Sequence, residues 1–280
     1  MTGTMALHIK PLSDALGAEV TGIDLSREPD AATRAALREG WHEHHMLLFP
    51  EQTLSDAEHV RFCEIFGPVQ HERTSPELST SEQPSIHYVA NTQPDAILPD
   101  GDILLHSDQC HYDLPAMATT LHAFEVPSVG GETFFTNAHL AYEALPDGLR
   151  QRCDGLRAEN AYSYNSPNRQ HKVTDSWEAA AQRATHPVFR SHPVTGRKAI
   201  YVNRLMTDFI VGMESAESRA LLEQLYAYVE DERFLYQHDW RVGDLIIWDN
   251  RCLLHARNTY DSVGERRRLR RIAIAGDTPF

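Results

Sequence analysis

Apolar residues in this chain recur in short runs that are separated by turn-forming residues. Residues 6–25 have the pattern of short strands broken by turns, and the run 46–50 ends at a proline, as a short buried strand does. Further short apolar runs lie at 117–124, 132–136, 198–203, 244–248 and 269–275. Many short strands with few helices between them predict a mainly β architecture.

Three segments have the residue spacing of helices, at 30–45, 53–68 and 216–232. The second opens with Ser55 and, three residues later, Glu58, which is a capping-box pattern. From 70 to 103 the chain is polar and rich in proline, with one strand-like piece, "SIHYVAN", so we expect a long loop region there. No repeat or linker divides the chain, which predicts a single domain over residues 1–280, mainly β with flanking helices.

Composition narrows the classes of function. Lys and Arg number 26 against 40 Asp and Glu, a formal net charge of −14, and this overall field does not attract nucleic acid or anionic lipid. Four cysteines without CxxC pairing argue against a disulfide framework or a zinc ribbon and are typical of a reduced, cytoplasmic protein. We expect no signal peptide and no membrane span, and homo-oligomers are left open.

A histidine and a carboxylate lie two residues apart in "LLHSDQCHYD" (104–113). In a strand, His106 and Asp108 would point to the same face. A second histidine, His255, stands far downstream in "GDLIIWDNRCLLHAR", after a buried apolar run. Two imidazoles and one carboxylate form the facial triad of non-haem Fe(II) oxygenases, which leaves three metal positions open. A bidentate 2-keto acid and O₂ would fill them.

Other metal ligands are available near these motifs. Cys110 has the right parity to join Asp108, so a cysteine-ligated zinc site is the sharpest rival, although a thiolate beside O₂-activating iron invites oxidation. His42 and His45 in "WHEHH" do not form an HExxH motif, and polar residues at a helix C-terminus are ordinary. Six further histidines have no partner spacing and are expected in the core or on the surface: His122, His139, His171, His186, His192 and His238.

The C-terminal "ERRRLRRIAIAG" has two arginine faces if it is a strand. Period-2 alternation places Arg267, Leu269 and Arg271 on one face and Arg266, Arg268 and Arg270 on the other. Two inward arginines, about 14 Å apart along the strand, would give one site for the far carboxylate of a keto acid and one for an anionic substrate. The outward arginines are expected to meet surface carboxylates.

A threonine completes this set. In "VPSVGGETFF", Thr133 starts a strand after the Gly130-Gly131 turn, and its hydroxyl could bind the same carboxylate as an arginine.

These motifs, taken in order, resemble the TauD/TfdA family of Fe(II)/2-oxoglutarate-dependent dioxygenases. The resemblance rests on "HSD" at 106–108, "GGET" at 130–133, "WDNRCLLH" at 248–255 and "RRRLRR" at 266–271, with similar text at both ends of the chain. It covers nearly the whole sequence. It implies a double-stranded β-helix, or jelly-roll, with flanking helices.

The resemblance also implies residue roles. His106, Asp108 and His255 would ligate Fe(II). Thr133 and Arg267 would bind the co-substrate 2-oxoglutarate. Arg271 resembles the arginine that taurine-oxidising members direct at the substrate sulfonate.

Three departures from the family pattern bear on these roles. The chain is one residue longer than some members between His255 and the arginines, so Arg266 and Arg270 are the alternative pair. His71 is an approximate match to a substrate-binding histidine, but the tyrosine that follows it in taurine-oxidising members is missing here. Asp102 stands where those members have asparagine, and both of these changes argue against taurine.

The predicted function is hydroxylation of a C–H bond in a small anionic substrate (a sulfonate, sulfate ester or carboxylate), with O₂ consumed and succinate and CO₂ released. A non-catalytic jelly-roll sensor of a metal or anion is the alternative, and a zinc hydrolase is a third reading. The paired arginines and Thr133 argue against a sensor, which needs no co-substrate clamp. A hydrolase would need a general base near the metal, and the sequence offers no good candidate.

Overall fold

A computed structural model describes residues 6–70, 85–92, 102–161 and 182–280 of the chain. The helices in these ranges are α1 (Ala31–His44), α2 (Asp56–Cys63), α3 (Ala138–Glu143), α4 (Asp147–Cys153) and α5 (Ser215–Val229), with a short 3-10 helix at Glu232–Phe234. The strands are β1 (His8–Pro11), β2 (Ala18–Thr21), β3 (Met46–Phe49), β4 (Ile86–Ala90), β5 (Ile103–His106), β6 (Ala118–Glu125), β7 (Thr133–Asn137), β8 (Arg157–Ala161), β9 (Arg183–Pro187), β10 (Phe189–Ser191), β11 (Lys198–Ile200), β12 (Thr207–Ile210), β13 (Leu235–His238), β14 (Leu245–Asp249), β15 (Leu253–Arg257) and β16 (Arg268–Ile274).

Two sheets form the centre of the structure. A seven-stranded sheet has the order β1-β2-β3-β14-β6-β16-β4, and a four-stranded sheet has the order β13-β7-β15-β5. Every neighbouring pair in them is antiparallel except β2 and β3. The sheets face each other through buried side chains of β6, β7, β14 and β16, among them Leu121, Phe135, Trp248 and Leu269. Strand alternation therefore aims half of the β16 side chains between the sheets.

The outer faces of both sheets are covered. Helices α1 and α2 lie on the large sheet, where Trp41 and Phe62 share one apolar cluster with Ile247 and Ile272. On the small sheet, Leu254 of β15 joins a cluster that contains residues of α5 and of the three-stranded sheet β12-β8-β9. The predicted mainly β architecture with flanking helices is confirmed.

Local sequence signals account for the two helices on the large sheet. Helix α1 begins after Asp30, whose side chain accepts a hydrogen bond from the Thr33 amide. Helix α2 begins after Ser55, and Ser55 and Glu58 form the predicted capping box. The helix ends at Cys63, earlier than the predicted segment 53–68, and a β-bridge at Val69 follows.

Other predictions about helices and strands are only partly confirmed. The strand-like piece in the 70–103 region is β4, while most of that region lies outside the described residues. Helices α3 and α4 were not predicted, because each has only six or seven residues and too little periodicity to detect. In the described part of the chain no helix has the length and apolar character that crossing a bilayer requires.

Arg270 is the residue through which α2 is tied to β16. The prediction that it is an outward arginine at the surface is wrong in one respect. It does pair with Asp56, but its side chain is only 2% exposed, because α2 covers it. It also donates to the Leu54 carbonyl and to Nδ1 of His59 and His122. Burial lowers the pKa of His122 to about 4 and holds the pKa of His59 well below its usual range, so both rings can accept.

Arg270→Ala should lower the free energy of unfolding by about 3–5 kcal/mol, because it leaves a buried network without its cation. Arg268→Ala is the matched control on the same strand. Arg268 is one-third exposed and pairs with Glu125, so its loss should cost about 1 kcal/mol or less. Urea unfolding followed by circular dichroism measures both. Equal losses would show that the Arg270 network does not carry the docking of α2.

Candidate metal centre and adjoining anion sites

Three of the predicted site residues converge between the two sheets. His255 lies in the middle of β15 and pairs directly with His106 at the end of β5, so their ring centroids are 4.1 Å apart. Asp108 Oδ1 lies 3.8 Å from His106 Nε2. One ligand atom from each of the three residues lies within 4.8 Å of the other two. The set could therefore hold one metal ion.

The sequence did not predict how Asp108 is positioned at this site. The expectation that it shares a strand face with His106 is wrong, because β5 ends at His106 and Asp108 lies in the following turn. Asn250, in the turn between β14 and β15, holds it there. The Asp108 amide donates to Asn250 Oδ1 at 2.7 Å, and Asn250 Nδ2 donates to the Asp108 carbonyl at 2.9 Å.

Asn250 also holds the residues beside that turn. Its Nδ2 donates to the Ala116 carbonyl, and its own carbonyl accepts from Ser107 Oγ. The sequence signal for this positioning role of Asn250 was weak: an asparagine that closely follows an apolar run, in "WDN".

Both histidines are poised as neutral nitrogen ligands. His106 Nδ1 donates to the Leu104 carbonyl, which leaves the lone pair of Nε2 directed towards Asp108. Burial lowers the pKa of His106 and lowers that of His255 to about 3. Nδ1 of His255 is buried and has no hydrogen-bond partner among the described residues.

The Asp108 carboxylate is ionised, and its two oxygens have different tasks. Burial alone would raise the pKa of Asp108, but the Arg271 guanidinium holds it well below its usual range. Oδ2 accepts from Thr119 Oγ1 at 2.7 Å and lies 2.8 Å from Arg271 Nη2. Oδ1 is left to face the imidazoles. The donor set is thus two nitrogens and one oxygen, the set typical of a non-haem Fe(II) facial triad.

Arg267 is a buried cation without a counter-ion in the described part of the chain. Its side chain is 1% exposed, Nε donates to the Gly131 carbonyl at 3.3 Å, and Nη1 has no partner there. Burial, together with nearby Arg257, lowers the pKa of Arg267 to about 9. A buried guanidinium with free donors is costly unless an anion joins it. This place therefore fits a carboxylate ligand.

Gly131 makes room for that arginine. Its φ is +74°, and a Cβ atom there would come within 3.3 Å of the Arg267 side chain. The "GGET" turn thus needs glycine for both its backbone shape and this close approach.

Thr133 is the first residue of β7, as predicted, and is buried. Its Oγ1 accepts a hydrogen bond from Trp240 Nε1 at 2.9 Å. Because the indole donates, the threonine hydroxyl keeps its own proton for a further acceptor. Trp240 was not found from the sequence, since it stands 107 residues from Thr133 with no motif around it.

The other arginines and the rival ligand are placed away from these groups. Arg266 has a side chain that is 77% exposed and lies 3.6 Å from Glu125, and Arg270 is engaged under α2 as described above. Cys110 contacts the Met206 sulfur at 3.4 Å and does not belong to the triad. His71, the predicted substrate contact, lies outside the described residues.

Comparisons with known proteins find relatives that match nearly the whole chain. The chain is 32% identical over 291 residues to the (S)-phenoxypropionate/alpha-ketoglutarate-dioxygenase of Sphingobium herbicidovorans, covering 97% of this chain and 96% of that protein. It is 29% identical over 290 residues to an alpha-ketoglutarate-dependent sulfate ester dioxygenase of Pseudomonas putida, with 98% and 91% covered. The solved structure of AAD-2 in complex with Mn(II) and N-oxalylglycine superposes with a TM-score of 0.83 at 27% identity, covering 98% of this chain and 99% of that one.

The family model described as "Taurine catabolism dioxygenase TauD, TfdA family" matches residues 8–273. That span contains the residues named above for the candidate metal centre and anion sites. The chain therefore belongs to the TauD/TfdA family of dioxygenases.

Proposed function

We propose that this protein is an Fe(II)/2-oxoglutarate-dependent dioxygenase that hydroxylates a C–H bond of a small anionic substrate and releases succinate and CO₂. Two observations carry the proposal together: the buried guanidinium of Arg267, which has no counter-ion among the described residues, and a donor set of two histidines and one carboxylate that Arg271, four residues further on, contacts. A metal and a dicarboxylate satisfy these two features together. A sensor of metal alone leaves the buried arginine unexplained.

His106, Asp108 and His255 would hold the iron. Their donor atoms fit it, since two neutral imidazoles and an ionised carboxylate present three ligands and Asp108 is limited to one oxygen by Thr119 and Arg271. When bound, Fe(II) activates O₂ and supplies the oxidising power for the C–H bond. The chain's own task is to keep the ligand count at three and to keep both rings unprotonated.

Arg267 and Thr133 would bind the distal carboxylate of 2-oxoglutarate. Arg267 contributes the free donors of a desolvated guanidinium, and Trp240 orients the Thr133 hydroxyl so that its proton can point to the ligand. The likeness to a structure that contains N-oxalylglycine supports this, because that molecule has the carbon skeleton of 2-oxoglutarate with NH in place of one CH₂.

Arg271 would bind the anionic group of the substrate. Its Nη2 is paired with Asp108, and a guanidinium has five N–H donors, so further donors are available for a carboxylate or sulfate. The relatives named for phenoxypropionate and sulfate esters act on molecules that carry these anions. His71 is retained as a second substrate contact on the family resemblance alone.

We further infer that residues 1–280 form one domain with the double-stranded β-helix fold. Support comes from two facing antiparallel sheets and from an alignment with solved relatives over nearly the whole chain. A cytoplasmic location is supported by the four cysteines, all of which are buried and remain thiols rather than disulfides.

The direct test of activity is succinate formation. Purified protein with Fe(II), 2-oxoglutarate and air should release succinate in proportion to consumption of an aryloxyalkanoic acid or an alkyl sulfate. The anaerobic complex should show a visible metal-to-ligand charge-transfer band, which His106→Ala and His255→Ala should abolish because each removes an iron ligand. A full band in both variants would refute the triad, and a band without any succinate would favour the sensor.

Arg267→Ala should weaken 2-oxoglutarate binding roughly ten- to a hundredfold, since a charge-assisted hydrogen bond contributes about 1.5–3 kcal/mol. Iron affinity should be unchanged. Arg266→Ala is the matched control and should have little effect, because Arg266 is exposed. Isothermal titration of 2-oxoglutarate into the Mn(II)-loaded wild type, Arg267→Ala and Arg266→Ala measures the three co-substrate affinities. The reverse ranking would show that the arginine register is shifted by one residue.

Arg271→Ala should raise the substrate KM at least tenfold for a carboxylate or sulfate substrate and should change the KM of its neutral amide or alcohol counterpart little. The reason is that only the anion loses a charge partner. If the variant instead binds iron more weakly and loses activity equally towards charged and neutral substrates, the role of Arg271 is limited to holding Asp108. Steady-state kinetics at saturating Fe(II) separates the two outcomes.

A further inference from the structure

A second group of ligating side chains lies outside the proposed iron site. It consists of His45 directly after α1, His139 in α3 and Cys252 in the turn between β14 and β15. One nitrogen or sulfur atom from each lies within 4.8 Å of the other two, and all three residues are buried. His45 and His139 had no predicted role, because they and Cys252 come from three distant segments of the chain.

The polar atoms of this group are not satisfied by the protein that surrounds them. His139 Nδ1 bonds to the Lys198 carbonyl, while Nε2 is buried without a partner among the described residues. His45 Nδ1 is buried and equally without a partner. The Cys252 thiol makes only a long contact, 3.8 Å to the Asp249 carbonyl. Unpaired buried polar atoms are rare in native proteins, and two imidazole nitrogens of this kind beside a thiol call for a ligand.

The orientation of His139 is the one that metal-binding histidines adopt. Nδ1–H of His139 donates a hydrogen bond to a backbone carbonyl, so the proton stays on Nδ1 and Nε2 keeps its lone pair for a ligand. His106 is held in the same manner at the proposed iron site, by the Leu104 carbonyl. Burial lowers the pKa of His45 to about 3 and that of His139 to about 4, so both rings are neutral.

In a neighbouring trio, His42, His192 and Asp249, two of the three residues are hydrogen-bonded to the protein, while His42 Nδ1 is buried without a partner among the described residues. His192 Nε2 bonds to Asp249 Oδ2, and both oxygens of Asp249 also receive the Arg251 guanidinium. His192 Nδ1 accepts from two backbone amides. His192 and Asp249 therefore have little left to offer a metal, which sets this trio apart from His45, His139 and Cys252.

We propose that His45, His139 and Cys252 bind a Zn²⁺ ion, with water in the fourth position. Imidazole nitrogen and thiolate sulfur are the ligands that zinc prefers. Zn–N of about 2.1 Å and Zn–S of about 2.3 Å put such atoms about 3.5 Å apart in a tetrahedron, so the side chains close in by an ångström or so. Cys252 loses its thiol proton to solvent as the Zn–S bond forms.

Such an ion would link the end of α1, helix α3 and the turn between β14 and β15. The His45 carbonyl already accepts from the Asp249 amide, and the Cys252 carbonyl accepts from the Ala138 amide. The same turn contains Asn250, which holds Asp108. The zinc would therefore stabilise the turn that positions an iron ligand, and it would do so whether or not the proposed activity is correct.

Cobalt titration of the metal-free, tag-free protein tests this. Co²⁺ should produce a near-ultraviolet thiolate-to-cobalt charge-transfer band that saturates at one equivalent, and Zn²⁺ added afterwards should bleach it. Cys252→Ser and His139→Gln should abolish the band. Cys153→Ser, which removes a buried thiol in another cluster, should keep it. His106→Ala should also keep it, since the iron-site ligands include no sulfur.

Several results would overturn the zinc site. One is a wild-type protein that shows no band. Another is a band that survives in Cys252→Ser. A third is a band lost in Cys110→Ser instead, which would assign the thiolate to the triad. If Cys252→Ser does not fold, the wild-type titration still decides, and a melting temperature that Zn²⁺ leaves unchanged counts against the site.

Discussion

The antiparallel pairing of β15 with β5 is the constraint on which the rest of the site depends. It sets His255 opposite His106 and thereby fixes two of the three donor atoms on rigid strands. The third donor, Asp108, comes from a turn, and a turn alone would not hold a carboxylate to within a few tenths of an ångström. Asn250 solves this by bonding both the amide and the carbonyl of Asp108. Because Asn250 sits between β14 and β15, one short segment controls all three ligands.

Charge explains why Arg271, within β16, and Arg267, directly before it, behave differently. Arg271 lies against Asp108 and helps to keep that carboxylate ionised, so the metal centre and the proposed substrate anion share one cation. Arg267 lies beside the Gly131 carbonyl and Arg257, without a carboxylate among the described residues, and its pKa is depressed. The first arginine is compensated by the protein. We propose that a ligand compensates the second, and a dicarboxylate co-substrate suits that place.

The sequence predicted those features that depend on interactions between residues close together in the chain. The Ser55–Glu58 capping box, the buried run of β14 and the two faces of β16 each follow from spacing alone. What the sequence could not supply depends on tertiary contact. Asp108 is positioned by a residue 142 places away, and Thr133 is oriented by Trp240. Arg270 has the alternation of an outward residue but is buried, since spacing does not tell which sheet face a helix will cover.

The central claim is that one dicarboxylate bridges the metal and Arg267. A crystal structure of the protein with Mn(II) and N-oxalylglycine, grown without O₂, tests it most directly. The account predicts the metal between His106, Asp108 and His255, with the distal carboxylate bonded to Arg267 and Thr133 and with Arg271 still free for a second anion. A distal carboxylate on Arg271, with Arg267 left unpaired, would contradict it.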